Sequence, residues 1–107
     1  MLNCSCVIIS CIDFRFQNNI KELIDELGIK NDVDIINIPG GGAKLDKYVS
    51  SGKTMLDISI KLHNPKTIIL TGHNNCGAKT TIEELKKKEL EYKKRYPKKN
   101  IMIKWFS

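Results

Sequence analysis

From Cys4 to Ser10 the row CSCVIIS ends in an unbroken, β-branched apolar run. Such a run is short enough for a strand buried on both faces of a parallel sheet. Ile20, Leu23, Ile24 and Leu27 then recur at i, i+3, i+4 and i+7, the stripe of an amphipathic helix, and Gly28 stands where a helix C-cap favours glycine. A second apolar run, Val33 to Ile38, is stopped by Pro39 and the glycines at 40–42. A second helix is predicted over about Gly52 to His63, with Ser50 or Ser51 as N-cap, Met55, Ile58 and Leu62 facing inward, and Asn64-Pro65 as the stop. Thr67 to Thr71 reads as the third strand. Thr81 and Glu84 make a T-x-x-E capping box opening a third helix, with Ile82, Leu85 and Tyr92 on one stripe and an end near Pro97. Ile101, Met102, Ile103, Trp105 and Phe106 form a closing strand.

Strands alternating with single helices imply a parallel sheet with right-handed crossovers and helices on both faces. The expected fold is therefore a single-domain three-layer α/β/α arrangement over 1–107, with a mostly parallel four-stranded sheet. Ligands of such sheets bind at the carboxyl ends of the strands, where the strand order reverses.

Composition leaves that picture intact. A chain of 107 residues, 41% hydrophobic and 28% charged, has room for one core and is too apolar for a disordered segment. No apolar run is long enough to span a bilayer, and no charged n-region leads into a signal-type apolar stretch. A soluble, cytoplasmic protein without a membrane partner is expected. The formal charge of +6 is concentrated between Lys86 and Lys99, where eight Lys and Arg meet only Glu89 and Glu91. A solvated helix face explains that segment, and a nucleic-acid partner is not expected. Four cysteines, Cys4, Cys6, Cys11 and Cys76, are too few for a disulfide-stapled secreted domain and suit reduced thiols or metal ligands.

The chemistry lies at two strand ends. Strand one runs out into Cys11-Ile12-Asp13-Phe14-Arg15, and strand three into Gly72-His73-Asn74-Asn75-Cys76-Gly77. If these strands are neighbours, Cys11, His73 and Cys76 converge as a Cys₂His set with a free fourth position, and two thiolates with an imidazole favour zinc over magnesium or calcium. Asp13 and Arg15, two apart on an extended segment, can pair, which keeps the carboxylate ionised and off the metal. The glycines at 40–42, and Gly77, permit backbone close to a small ligand. Cys4 and Cys6 read as core or N-terminal thiols, and His63 as structural rather than a proton shuttle. Gly52-Lys53-Thr54 lacks the preceding glycine of a phosphate loop, because position 47 is Lys47.

The two motifs resemble the β-class carbonic anhydrases, whose signature is C-x-D-x-R after the first strand and H-x-x-C-G after the third. The resemblance extends from about Val7 to Lys79 and includes a glycine-rich turn after strand two, although Pro39-Gly40-Gly41-Gly42-Ala43 replaces that family's usual Arg-Asn-Ala-Gly. It implies Cys11, His73 and Cys76 as zinc ligands, Asp13 as a switchable partner of zinc-bound hydroxide, Arg15 as its clamp, and a zinc lyase hydrating carbon dioxide to bicarbonate by a zinc-hydroxide mechanism. The family's N-terminal helical arm and its further strand and helices are missing here, so the substrate pocket is expected to lie open. A homodimer is expected from the exposed sheet edges and the apolar closing row. Three alternatives stand beside this reading: hydrolysis of a related heterocumulene, carbon disulfide or carbonyl sulfide; a non-catalytic zinc-binding module with Asp13 closing the fourth position; and a basic nucleic-acid or partner-binding domain acting through the Lys86–Lys99 helix.

Overall fold

Each apolar run without a helical period becomes a strand, and each i, i+3, i+4 stripe becomes a helix. The computed structural model describes residues 2–107. In it β1 (Cys6–Cys11), β2 (Val33–Ile38), β3 (Thr67–His73) and β4 (Asn100–Phe106) alternate with α1 (Gln17–Leu27), α2 (Met55–His63) and α3 (Ile82–Arg95). The sheet order is β2-β1-β3-β4 and every neighbouring pair is parallel. The order therefore reverses between β1 and β3, which puts their carboxyl ends side by side at the expected ligand position.

The sheet is covered unequally. On one face Leu56 of α2 and Leu85 and Tyr92 of α3 pack with Val7, Ile9, Ile36, Ile38, Ile68, Leu70 and Ile101. On the other, α1 alone contributes Ile20 and Leu23 against Cys6, Ile8, Ile69 and Phe106. Val7, Ile8 and Ile9 have no exposed surface. At about 1.5–3 kcal/mol for each such side chain, β1 is held from both faces and its carboxyl end has little freedom to move.

Helix ends follow local chemistry. Gly28 takes the left-handed conformation (φ +66°) at the C-cap of α1. The N-cap of α2 is Thr54, not Ser50 or Ser51: its hydroxyl accepts from the Asp57 N–H while the Asp57 carboxylate accepts from the Thr54 N–H, a complete capping box. Ser50 is instead occupied in a backbone bridge with Lys53, so the helix starts at Met55 rather than near Gly52. At α3 only half of the expected box forms; Thr81 accepts from the Glu84 N–H, while the other Glu84 carboxylate oxygen takes the ammonium of Lys44 at 2.6 Å.

The inward face of α2 also differs from the sequence reading. Met55, Ile58 and Leu62 are 51%, 39% and 53% exposed, and Leu56 and Ser59 are the buried positions. Two stripes on this helix carry apolar residues, and the sheet reaches only one of them. Ser59 tolerates burial because its hydroxyl donates to the Asp34 carboxylate of β2 at 2.6 Å. The closing strand is better covered than its composition suggests: Ile101 and Phe106 are buried and Ile103 and Trp105 pack on the core, leaving Met102 as its exposed apolar residue.

The basic segment of α3 is only partly a solvated face. Lys88 and Arg95 both grip Asp46, each at 3.0 Å, and the buried Tyr92 hydroxyl donates to the same carboxylate. No helix among the described residues is long and apolar enough to cross a membrane.

Candidate metal centre at the carboxyl end of the sheet

Three elements converge here. Cys11 is the last residue of β1 and His73 the last of β3, two positions further along than the sequence reading ended that strand; Cys76 lies on the turn that follows. One ligating atom from each lies within 4.8 Å of the others, with the two sulfur atoms 4.0 Å apart. Cys11 and His73 are buried and Cys76 is half-buried.

The imidazole is oriented for ligation. Its Nδ1 lies 2.8 Å from the Asn74 carbonyl oxygen, which can only accept, so Nδ1 carries the proton and Nε2 presents a lone pair. That buried Nε2 has no hydrogen-bond partner among the described residues. An unpartnered buried nitrogen is costly, at about 1–3 kcal/mol, and in the neutral ring a metal ion could take its lone pair. Phe16, at the end of a short 3₁₀ turn (Phe14–Phe16), stacks on the ring with centroids 4.2 Å apart and prevents it from turning to solvent.

The thiols sit in unequal surroundings. Burial pushes the Cys11 thiol up, against the pull of the Gly40 N–H, which donates to its sulfur at 3.4 Å. Burial also works against ionisation of Cys76, but the backbone N–H groups of Thr80 and Ala78 and the neighbouring Cys11 thiol outweigh it and bring Cys76 below the ordinary range. Cys76 therefore ionises first.

The glycine turn serves this geometry. Gly40 and Gly41 have φ of +89° and +64°, and a Cβ on Gly41 would stand 2.4 Å from the Thr71 carbonyl oxygen and 3.2 Å from the Cys11 nitrogen. The turn thus lies flush on the ends of β1 and β3, which carries the Gly40 N–H to the Cys11 sulfur. The Thr80 hydroxyl donates to the Gly40 carbonyl and ties the turn to the Cys76 loop. Gly77 has no such duty: a Cβ there meets nothing within 4 Å.

Asp13 and Arg15 do pair, by a route other than an extended segment. Asp13 caps the 3₁₀ turn, its carboxylate accepting from the Arg15 N–H at 3.0 Å. The guanidinium closes on both carboxylate oxygens, with Nη2 to Oδ2 at 2.6 Å and Nε to Oδ1 at 3.0 Å. Nη2 also donates to the Asn75 carbonyl, bridging to the Cys76 loop. These bonds hold the Asp13 carboxyl far below the usual carboxylate range. Its Oδ2 stands 3.7 Å from His73 Nε2, beside the donor set but outside it. Ile12, Pro39, Gly40 and Ala78 line a shallow depression that opens over Cys11 and Asp13.

Sequence patterns flagged the five motif residues; they did not flag Phe16, the Gly40 N–H, Thr80 or Gln17, whose amide donates to the Cys11 and Asp13 carbonyls. Phe16 and Gln17 follow directly on C-x-D-x-R, and adjacency was the one signal available for them. Thr80 carried none.

The model of a family described as "Putative carbonic anhydrase" matches residues 1–102. The chain belongs to that family. An uncharacterized protein of Rickettsia conorii (strain ATCC VR-613 / Malish 7) is 37% identical over 95 residues, which cover 81% of this chain and 51% of that protein. An uncharacterized protein of Rickettsia bellii (strain RML369-C) is 38% identical over 95 residues, 81% of this chain and 58% of that one. The chain thus spans between half and three-fifths of the length of these curated relatives. No solved structure matches it.

The residues present fit a metal. Two thiols and an imidazole nitrogen converge, the nitrogen is unpartnered, and the nearby carboxylate is held aside. A borderline-soft ion of tetrahedral habit suits that donor set.

Proposed function

We propose that this chain is a zinc-dependent lyase of the β-class carbonic anhydrase type, converting carbon dioxide and water to bicarbonate and a proton. Cys11, His73 and Cys76 would hold Zn²⁺. The observation that carries the reading is the buried His73 Nε2, without a partner, facing two thiols while Arg15 holds Asp13 alongside. Zinc held there would supply a hydroxide nucleophile near neutral pH, because it lowers the pKa of water it binds to about 7.

The protein's own residues do the rest. On taking up the metal, Cys76 and Cys11 would release their thiol protons to solvent, with backbone N–H groups and the Gly40 N–H stabilising the resulting sulfur charge. The Asn74 carbonyl fixes the His73 tautomer. Asp13, kept ionised and held aside by Arg15, would stay off the metal and offer Oδ2 as an acceptor that orients the nucleophile. Ile12, Pro39 and Ala78 provide an apolar wall for a small linear molecule. Ile12, which lines this depression, is 56% exposed and Phe14, two residues on, 86% exposed, apolar surface that a second copy of the chain would cover in the proposed homodimer.

Stopped-flow hydration of carbon dioxide by the zinc-loaded chain, with carbonyl sulfide hydrolysis measured in parallel, tests the proposal. Hydration that disappears in Cys76→Ser is the expected result. Zinc-loaded protein inactive towards carbon dioxide at every pH would overturn it; hydrolysis of carbonyl sulfide alone would identify the heterocumulene hydrolase, and neither activity would leave a non-catalytic zinc module.

A further inference from the structure

The opposite end of the sheet gathers a second set of donor atoms. Cys4, just before β1, Asp34, second residue of β2, and His63, last residue of α2, each place a ligating atom within 4.8 Å of the others. β1 spans the gap to the first centre, about 16 Å at roughly 3.3 Å per residue. The two sets share no residue.

Four features show a built arrangement. The Cys4 N–H donates to the His63 carbonyl at 2.9 Å, so the backbone itself holds the thiol-bearing and imidazole-bearing residues together. The buried Ser59 hydroxyl donates to Asp34 Oδ2 at 2.6 Å and fixes the carboxylate from behind. His63 Nδ1 lies 2.8 and 3.0 Å from the two Asp34 oxygens. The next residue, Ser5, is anchored through its N–H to the Asp32 carboxylate at 2.9 Å. His63 and Asp34 side chains are 39% and 26% exposed, so an ion can reach them from solvent.

The geometry points to a second metal site at Cys4, Asp34 and His63, taking a divalent transition ion such as zinc or cobalt, distinct from the Cys11–His73–Cys76 centre. A thiolate, an imidazole and a carboxylate form a mixed soft and hard set that zinc accepts and that magnesium and calcium, which prefer all-oxygen shells, do not. Zinc bonds of about 2.0–2.2 Å to nitrogen and oxygen require the His63–Asp34 contact to open by about 0.5 Å, within the reach of a half-exposed imidazole. On binding, the Cys4 thiol proton leaves to solvent and the imidazole presents whichever nitrogen faces the ion. Three protein ligands leave a coordination position for water. The ion would tie the approach to β1, the start of β2 and the end of α2, three segments distant in sequence, so its first effect is to stabilise the native state, by an amount that rises with the logarithm of the free ion concentration above Kd.

The experiment uses the full chain stripped of metal and titrated with zinc against a chromophoric chelator, and with cobalt(II) followed by its sulfur-to-metal absorption. Wild type should take up about two ions, and Cys76→Ser about one, still with sulfur-to-cobalt absorption. Adding Cys4→Ser or His63→Ala to Cys76→Ser should remove that ion, its absorption and the zinc-dependent rise in Tm. Circular dichroism of the metal-free variants checks that each is folded, and Asp34→Asn provides a near-isosteric second test. The proposal is overturned if Cys76→Ser binds no ion, or binds one that survives Cys4→Ser and His63→Ala. Neither outcome depends on whether the first centre hydrates carbon dioxide.

Discussion

The two ends of one sheet hold their donor atoms in opposite ways. At the carboxyl end, Nε2 of His73 is buried without a partner among the described residues, and the nearest carboxylate is drawn off by Arg15. At the amino end the imidazole and the carboxylate bind each other, His63 to Asp34 at 2.8 Å, and both remain open to solvent. The first arrangement is preorganised for a ligand and has little reason to exist without one; the second is already satisfied and must give up a contact to admit an ion. Affinity and chemistry should therefore belong to the carboxyl end, and stabilisation to the amino end. The guanidinium of Arg15 makes the difference, since without it Asp13 would stand to His73 much as Asp34 stands to His63.

The largest expected effect tests the claim of preorganisation. Cys76→Ser should eliminate carbon dioxide hydration and the tighter of the zinc equivalents together, measured by stopped-flow and by metal analysis after dialysis. Retention of activity by this variant would place the chemistry elsewhere.

Arg15→Ala makes the carboxyl end resemble the amino end. With two charge-assisted bonds removed, Asp13 would be a free carboxylate beside the proposed zinc and should become its fourth ligand. Activity should fall about 10–100-fold with zinc content unchanged, and the cobalt(II) spectrum should shift towards a closed four-coordinate site. Arg15→Lys should recover little, because an ammonium cannot close on both carboxylate oxygens. Unchanged hydration in Arg15→Ala would show that the clamp is not needed.

Gly41→Ala should act on one end alone. The residue has φ of +64° and its new Cβ would meet the Thr71 carbonyl oxygen at 2.4 Å, a backbone atom that cannot step aside. A loss of about 1–3 kcal/mol in chemical unfolding, with weaker zinc binding at Cys11 and no change at the amino end, is expected. Gly77→Ala, in open space, should stay within about 0.5 kcal/mol of wild type.

The last variant supplies a control of another kind, since Asp46 belongs to neither end. Burial disfavours its charge, but hydrogen bonds from Arg95 and Lys88 outweigh that and hold its carboxyl below the usual range. A carboxylate with a depressed folded-state pKa stabilises above its unfolded value, about 3.9, and that stability is lost as pH falls through the lower folded-state value. Asp46→Asn should cost about 1 kcal/mol at neutral pH, given the partial exposure of its partners, and should flatten the acid limb of the stability curve without changing zinc content.

Much of this was legible in the chain. Gly28, Pro39 and Asn64-Pro65 end elements by backbone chemistry that needs no tertiary partner, and the run Val7 to Ile9 has no stable alternative to a buried strand. The pair of motifs after strands one and three named Cys11, Asp13, Arg15, His73 and Cys76 because each residue's chemistry is intrinsic and the βαβ rule brings those strand ends together. Local information failed wherever two faces competed. Met55, Ile58 and Leu62 have helical spacing as good as the true inward face of α2, and only the position of β2, with Asp34 ready to accept from Ser59, decides which stripe is buried. The Cys4–Asp34–His63 cluster was invisible for a related reason: its members lie 59 positions apart from first to last, in no motif, and the β1–β2 register together with the backbone bond from Cys4 to the end of α2 brings them together. Sequence by itself determined the elements and the reactive groups, which depend on bonded neighbours and side-chain type. Tertiary structure alone decided which of those groups meet and which atom is left without a partner, because both depend on packing between segments remote along the chain.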